Sequence, residues 1–439
     1  MSLKNVFIAV CMLAFLKVGY SEETPDIKRL SAEFTGALAA QDFNKAAGFV
    51  DSGLRNEISA EAIGQAWNGL ISQYGKFINR KDIQTAFASD SYEALAVCRF
   101  EKKSVAVKMS FTLTGRLQGF FFYPREEYTA PAYVNSALFT EQQVIVGSGK
   151  WALPGTLTLP KGKGPFAALA LVHGSGPNDR DETMGPNKPF RDIAQGLASQ
   201  GIAVLRYDKR TFAHNKEASE IKNFTVKEET VDDAVLAAEL LRGRKEIVPS
   251  KVFVLGHSLG GELIPRIGAA CGGQCAGFIV LAGSTQPDED VLIRQLTYIF
   301  SLDGKISDEE REELEKTKAD AARIKAPALS PGDPPIDGIP PAYYLDLRGY
   351  YSPDAAKKLG KPMLILQGER DYQVTISDFE NWKKALSDKT EVEFKSYTRL
   401  NHLFCEGAGT PLSTPGEYRK AANVAGYVID DLASWLKAR

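Results

Sequence analysis

One serine in the chain has neighbours that suit a catalytic nucleophile. The segment KVFVLGHSLGGELIP places Gly256, Gly260 and Gly261 around Ser258, directly after an apolar run. A serine on a sharp strand-to-helix turn projects its hydroxyl above a sheet, and the start of the helix adds partial positive charge where an oxyanion would form. The alternative is a packing serine in a tight turn, so the assignment depends on finding a base and a carboxylate.

The chain offers four histidines as candidates for the base. His173 belongs to the turn HGSG, and His214 lies in a polar stretch. His257 adjoins Ser258 and is expected to point away from it. His402 comes after the last predicted strand and before the terminal helix, so we predict that it is the base that activates Ser258.

Two carboxylates could orient this histidine, because PMLILQGERDYQV ends a predicted strand with Glu369 and Asp371. Either could fix the tautomer of the imidazole and stabilise the imidazolium. We prefer Asp371, which lies further from the strand end and has the shorter side chain. The resulting order, Ser258, Asp371, His402, is that of α/β-hydrolases.

An oxyanion formed at the serine needs two backbone NH donors. One should be the NH of Leu259, the residue after the nucleophile. The other should come from the loop LVHGSGPNDRDE, where we predict the NH of Ser175. The alternative for this loop is a plain turn at the exit of a strand.

The elements that would position these residues form a repeated cycle of strand and helix. The predicted strands are FAALALVHG, IAVLRYD, VFVLGHS, FIVLAG, PMLILQG and VEFKSYT, and amphipathic helical patterns separate most of them. Aliphatic strands that alternate with helices indicate a mostly parallel sheet covered on both faces, with the active site at the carboxyl ends of the strands. Together with the order Ser258, Asp371, His402, this pattern predicts an α/β-hydrolase fold over about residues 134–439.

One connection in this domain is long, and we predict that it forms a helical lid. It covers about residues 285–360 and contains the charged helix DEEREELEKTKADAARIK and a proline-rich loop. Insertions of this length are typically functional lids, with a surface elaboration as the alternative. Tyr343, Tyr344 and Arg348 are candidate substrate contacts, with packing inside the lid as the alternative.

The chain before this domain divides into a processing signal and a small domain. Residues 25–125 show helical periodicity followed by alternating patterns, which predicts an α+β domain. In residues 1–21, Lys4 precedes the apolar run VFIAVCMLAFL, which is too short to span a bilayer and fits a signal peptide. We expect export to the periplasm or the medium; the alternative is a buried N-terminal helix.

Composition limits the partners and cofactors. The net charge of -2 at pH 7 argues against a surface for nucleic acid. Cys271 and Cys275, in CGGQC, could form a local disulfide, but without accompanying histidines such spacing does not favour a metal site. The sequence predicts no stable membrane span, and it leaves the oligomeric state open, homo-oligomers included.

With these motifs the chain resembles an exported bacterial α/β-hydrolase of the carboxylesterase group. The motifs HGSGPNDRDE, GHSLGG, YYLDLRGY, GERD and NHLF agree in order over about residues 134–439. The resemblance implies hydrolysis of carboxylic esters, often with short acyl chains, through an acyl-enzyme and without metal or organic cofactor. It carries over Ser258 as nucleophile, Asp371 as acid and His402 as base. Residues 25–125 are similar to the NTF2-like, DUF3887-type module that such hydrolases often carry.

The sequence therefore predicts a serine carboxylesterase whose partner is a small-molecule ester. A serine peptidase or an acyltransferase on the same fold would have the same triad, so both remain alternatives. An inactive hydrolase fold that only binds ligands is a further alternative.

Overall fold

The computed structural model describes residues 25–88, 91–408 and 412–439. The described residues divide into two compact units, of which one ends at Glu127 and the other comprises Tyr128–Arg439. The predicted signal peptide, residues 1–21, lies outside the described residues, so export stays a prediction. None of the described helices is both long enough and apolar enough to cross a membrane.

The first unit consists of helices followed by an antiparallel meander. Its elements are α1 (Ile27–Ala39), α2 (Phe43–Ala47), α3 (Ala60–Tyr74), β1 (Phe77–Ala88), β2 (Ser91–Phe100), β3 (Ser104–Phe111) and β4 (Leu117–Arg125). The strands pair in the order β1-β2-β3-β4. Ser59 caps α3, since its side chain accepts a hydrogen bond from the NH of Ala62.

Strand β1 was not expected from the sequence. Its residues include the polar run Asn79, Arg80, Lys81 and Asp82, which interrupts the alternation of apolar and polar side chains. The pairing of β1 with β2 also shifts register between Arg80 and Ile83. An irregularity of this kind breaks the period of two that identifies a strand in a sequence.

The second unit is built on an eight-stranded sheet of described residues. Its strands are β5 (Phe139–Val146), β6 (Leu153–Pro160), β7 (Phe166–Val172), β8 (Ala203–Tyr207), β9 (Ile247–His257), β10 (Gly277–Leu281), β11 (Met363–Gly368) and β12 (Val392–Tyr397). They lie in the order β12-β11-β10-β9-β7-β8-β6-β5. Strands β7 to β12 pair in parallel. Strands β5 and β6 form an antiparallel hairpin, and β6 pairs antiparallel with β8.

Helices cover both faces of this sheet. They are α4 (Pro189–Ser199), α5 (Arg210–Ala213), α6 (Asn215–Ser219), α7 (Asp232–Arg242), α8 (Leu259–Glu262), α9 (Ile264–Ala270), α10 (Asp288–Ser301), α11 (Asp308–Lys325), α12 (Pro341–Leu347), α13 (Ser352–Ala356), α14 (Ile376–Ala385) and α15 (Gly426–Lys437). Alternate residues of β7 belong to two separate apolar clusters, one with α7, α9 and α14 and the other with α4 and α15. The predicted covered, mostly parallel sheet is confirmed.

Four helices, α10 to α13, occupy the long connection between β10 and β11. The charged segment predicted as a helix forms α11, which begins at a capping box of Ser307 and Glu310. The two cysteines of CGGQC lie at the end of α9 and beyond it, and both Cys271 and Cys275 are buried free thiols.

Candidate functional site

Ser258 lies at a strained turn between β9 and α8. Its backbone has φ 54° and ψ -119°, a left-handed conformation that costs free energy for a residue other than glycine. Its NH donates to the carbonyl of Leu281 at the end of β10 (2.9 Å), so the turn continues the pairing of the sheet. The carboxyl end of β9 therefore holds this serine in a fixed, unusual geometry.

Two glycines allow strand and helix to come this close. A Cβ on Gly256 would lie 2.1 Å from the carbonyl oxygen of Gly260. A Cβ on Gly260 would lie 2.5 Å from the oxygen of Val172 and 2.6 Å from that of His173. Backbone fills the space on both sides, so larger residues at these positions would displace the turn that carries Ser258.

His402 and Asp371 are joined by a short buried hydrogen bond. The Nδ1 of His402 donates to Oδ2 of Asp371 over 2.6 Å, and the two residues are 3% and 0% exposed. The other carboxylate oxygen of Asp371 accepts from the backbone NH groups of Gln373 (2.7 Å) and Val374 (3.1 Å). These contacts fix the carboxylate and leave Nε2 of His402 as the acceptor nitrogen.

Glu369, the other candidate carboxylate, has a different partner. Its Oε1 accepts from the hydroxyl of Ser396 at 2.7 Å, on the neighbouring strand β12. Among the described residues, the carboxylate that bonds to His402 is therefore Asp371.

The remaining histidines have structural contacts. Burial lowers the pKa of His173 to about 4, and its Nε2 lies 3.0 Å from the carbonyl oxygen of Asp179. His214 bonds to the carbonyl of Ala152 (2.9 Å) rather than lying in a solvated loop. Neither histidine forms an ion pair with a carboxylate among the described residues.

His257 makes contacts that the sequence did not suggest. Its Nδ1 lies 2.9 Å from Oε2 of Glu182, and its Nε2 donates to the carbonyl of His402 (2.9 Å). Burial lowers the pKa of His257, but the charge and hydrogen bond of Glu182 outweigh it and raise the pKa above its usual value. The rings of His257 and His402 lie 4.5 Å apart, which places His402 beside the residue that precedes Ser258.

The HGSG turn lies directly against Ser258. A Cβ on Gly174 would be 3.0 Å from Cβ of Ser258 and 3.5 Å from its Oγ. The NH of Gly174 is occupied, because it donates to Oε1 of Glu182 at 2.8 Å. Within the part of the chain that the structure describes, the NH groups of Ser175 and Leu259 have no hydrogen-bond acceptor. These two amides are therefore available to a bound ligand.

Of the three candidate substrate contacts, Tyr343 lies deepest. It is 2% exposed, and its hydroxyl donates to Oε2 of Glu229 at 2.6 Å. The Nζ of Lys209 lies 2.7 Å from the other oxygen of Glu229 and also donates to the carbonyl of Gly174 (2.7 Å). Tyr343 is thus connected through two buried charged residues to the HGSG turn beside Ser258.

Tyr344 and Arg348 instead bond within the inserted segment. The hydroxyl of Tyr344 donates to the carbonyl of Ile336 at 3.4 Å. The guanidinium of Arg348 donates to the carbonyls of Ile324 (2.6 Å) and Ala326 (3.1 Å), at the end of α11. In this arrangement both side chains stabilise the packing of the segment.

The described residues contain no group of three or more His, Cys, Asp and Glu side chains that could hold a metal ion. The site itself offers a serine hydroxyl, a histidine bonded through Nδ1 to a carboxylate, and backbone amides. Sequence reasoning found these groups but missed Glu182 and the contacts of His257. The one signal for Glu182 was its place at the end of HGSGPNDRDE.

Known proteins resemble this chain in two segments and over most of its length. A model described as a protein of unknown function (DUF3887) matches residues 31–120, and one described as serine aminopeptidase, S33, matches residues 165–330. Esterase EstD of Thermotoga maritima is 37% identical to the chain over 405 residues, which are 92% of this chain and 93% of EstD. The predicted α/β-hydrolase fold with a small N-terminal domain is confirmed, as is the prediction of a hydrolase.

Solved structures show weaker similarity. Est1E from Butyrivibrio proteoclasticus is 14% identical, with a TM-score of 0.42, over 68% of this chain and 99% of that one. A dienelactone hydrolase from Anabaena variabilis is 17% identical, with a TM-score of 0.41, over 69% of this chain and 98% of that one. Similarity at this level does not bear on the function.

Proposed function

We propose that this chain is a serine carboxylesterase that hydrolyses short-chain carboxylic esters. The chain belongs to the esterase family that includes EstD of Thermotoga maritima. The observation that carries the proposal is the buried 2.6 Å hydrogen bond between His402 and Asp371, close to the strained turn at Ser258. Short acyl chains are proposed from the resemblance to exported carboxylesterases.

The proposed reaction begins with activation of the serine. Asp371 holds the proton of His402 on Nδ1, so Nε2 accepts the proton of the Ser258 hydroxyl as its oxygen attacks the ester carbonyl. The imidazolium that forms is stabilised by the charge of Asp371. The former carbonyl oxygen, now negatively charged, accepts hydrogen bonds from the NH groups of Leu259 and Ser175.

Collapse of this intermediate releases the alcohol and leaves an acyl-enzyme. The C–O bond to the alcohol breaks, and the leaving alkoxide takes the proton from Nε2 of His402. A water molecule then gives a proton to His402 and attacks the acyl carbonyl. The acid leaves as Ser258 regains its proton, and the enzyme returns to its starting state.

The test is Ser258→Ala, assayed on p-nitrophenyl esters of increasing acyl length. Removal of the nucleophile should lower kcat by about 10⁴-fold or more, since catalysis by the remaining groups is small. A fluorophosphonate probe should label the wild type at Ser258 and leave the variant unlabelled. Ser199→Ala is the control, because Ser199 bonds to the carbonyl of Gln195 on α4, and this variant should keep wild-type kcat.

Two results would count against the proposal. An active Ser258→Ala variant would exclude the serine as nucleophile. A wild type without ester hydrolysis and without labelling would instead support a hydrolase fold that only binds ligands.

A peptidase is the second candidate, favoured by the match of residues 165–330 to the serine aminopeptidase model. The triad would be the same, so only the substrate separates the two functions. Parallel assays on p-nitrophenyl esters and on aminoacyl p-nitroanilides decide between them, and we expect the esters to be turned over faster.

A further inference from the structure

Glu182 and His257 form a buried ion pair that the proposed reaction does not use. Their closest atoms are 2.9 Å apart, and the residues are 6% and 4% exposed. Glu182 lies in the loop between β7 and α4, which begins with the HGSG turn, whereas His257 is the last residue of β9. Paired buried charges are costly to desolvate, so their presence beside a reactive serine calls for an explanation beyond stability.

The surroundings of His257 fit a charged ring, through one hydrogen bond at Nε2 and one ion-pair contact at Nδ1. Its Nε2 faces the carbonyl of His402, which can only accept, so Nε2 carries a hydrogen. Its Nδ1 faces a carboxylate oxygen of Glu182, which also accepts when ionised. An imidazolium paired with a carboxylate satisfies both contacts, and the raised pKa of His257 agrees with it.

Beyond their contact with each other, Glu182 and His257 connect to the three segments that carry the proposed catalytic groups. Oε1 of Glu182 accepts from the NH of Gly174 (2.8 Å), the residue before Ser175. His257 precedes Ser258 in the chain. Nε2 of His257 donates to the backbone of His402 (2.9 Å). One pair of side chains thus joins the turn of the oxyanion donor, the nucleophile turn and the loop of the base.

We propose that the Glu182–His257 pair positions the esterase site by holding the HGSG turn, the Ser258 turn and the His402 loop in one fixed arrangement. The inference rests on the proposed esterase function. Displacement of reacting groups by about 1 Å can cost on the order of 10²-fold in rate. Since all three segments are loops or turns, a common anchor between them limits such displacement.

The test uses two substitutions of the same residue. Glu182→Ala removes the contacts to both Gly174 and His257, so kcat per active site should fall by about 10- to 100-fold with little change in KM. Glu182→Gln can keep both contacts, because its amide oxygen accepts from the NH of Gly174 and its NH2 group can donate to Nδ1 of a neutral His257. We expect Glu182→Gln to stay within about fivefold of wild-type kcat.

The number of active sites is measured by titration with the fluorophosphonate probe, so that unfolded protein does not lower the apparent kcat. Asp181→Ala is the matched control from the same loop. Asp181 bonds to Lys188 (2.9 Å) and Arg206, away from the contacts of the pair. Its loss should lower the melting temperature but leave kcat per active site unchanged.

If Glu182→Ala does not fold, His257→Asn decides the question. Asparagine can still donate to Glu182 but is too short to reach the carbonyl of His402, so kcat should fall by about tenfold or more. Wild-type kcat in Glu182→Ala or His257→Asn would overturn the positioning role. A loss of kcat in Asp181→Ala as large as that in Glu182→Ala would also overturn the positioning role. Equal losses in Glu182→Gln and Glu182→Ala would overturn it as well. All of these outcomes are measured relative to an active wild type. An inactive wild type would instead overturn the proposed esterase function.

Discussion

At the scale of single residues, the contacts of two acidic side chains separate their roles. Glu369 and Asp371 lie two positions apart, and the sequence offered only a preference between them. The structure gives Asp371 the bond to His402 and directs Glu369 to Ser396 on β12. The NH of Glu369 still pairs with the carbonyl of Tyr397 on β12, which keeps Glu369 beside that strand, whereas Asp371 lies two residues further along and is fully buried.

This difference predicts opposite results for two conservative substitutions. Asp371→Asn should lower kcat by about 10⁴-fold, because an amide cannot stabilise the imidazolium and favours the wrong tautomer of His402. Glu369→Gln should keep kcat within about twofold, since its partner is a neutral hydroxyl. Steady-state kinetics on a short-chain p-nitrophenyl ester checks both. Loss of activity in Glu369→Gln alone would move the role to Glu369.

At the scale of elements, the nucleophile turn depends on how closely α8 approaches the end of β7. The Cα of Gly260 faces the carbonyls of Val172 and His173 at distances that leave no space for a side chain. Val172 is the last residue of β7, and His173 begins the HGSG turn. Packing at this point therefore sets the spacing between Ser258 and the proposed oxyanion donors.

The close approach predicts a large effect for Gly260→Ala. The added methyl group would push α8 away from β7, which should lower the free energy of unfolding by about 1 to 3 kcal/mol and kcat by about 10²-fold. Gly36→Ala is the control, because Gly36 lies exposed within α1 and a Cβ there meets nothing within 4 Å. It should stabilise the chain by about 0.5 to 1 kcal/mol. Urea denaturation and kinetics measure both effects, and an active, equally stable Gly260→Ala would contradict this account of the turn.

At the scale of the whole molecule, the described residues form two units with separate apolar cores. The core of the first unit uses residues from Ile27 to Phe122, whereas the clusters on the two faces of the large sheet begin at Tyr133. The candidate catalytic residues all belong to the second unit. Each unit therefore has the core that independent folding requires.

This division predicts that a fragment of residues 128–439 folds by itself and keeps ester hydrolysis. Because the site and its supporting contacts are included, kcat on a short-chain ester should stay within about threefold of that of the full chain. Circular dichroism, thermal melting and kinetics of both proteins check this. A folded but inactive fragment would show that the first unit takes part in the reaction.

The sequence by itself determined the features that depend on neighbours in the chain. Aliphatic runs and amphipathic periods identified the strands from β7 to β12 and most of the helices around them, because side-chain period follows backbone geometry. The glycines around Ser258 predicted its turn for the same local reason. Strand β1 escaped this reasoning because its irregular register removes the period.

Only the tertiary structure decided which distant residues meet. The contact of His257 with His402 spans 145 positions, and that of Asp371 with His402 spans 31. Such contacts depend on the order of strands in the sheet, where β7 lies between β8 and β9, and on the exact path of each loop. A local pattern carries no information about that order, so the choice of Asp371 and the pairing of Glu182 with His257 became visible only in the folded chain.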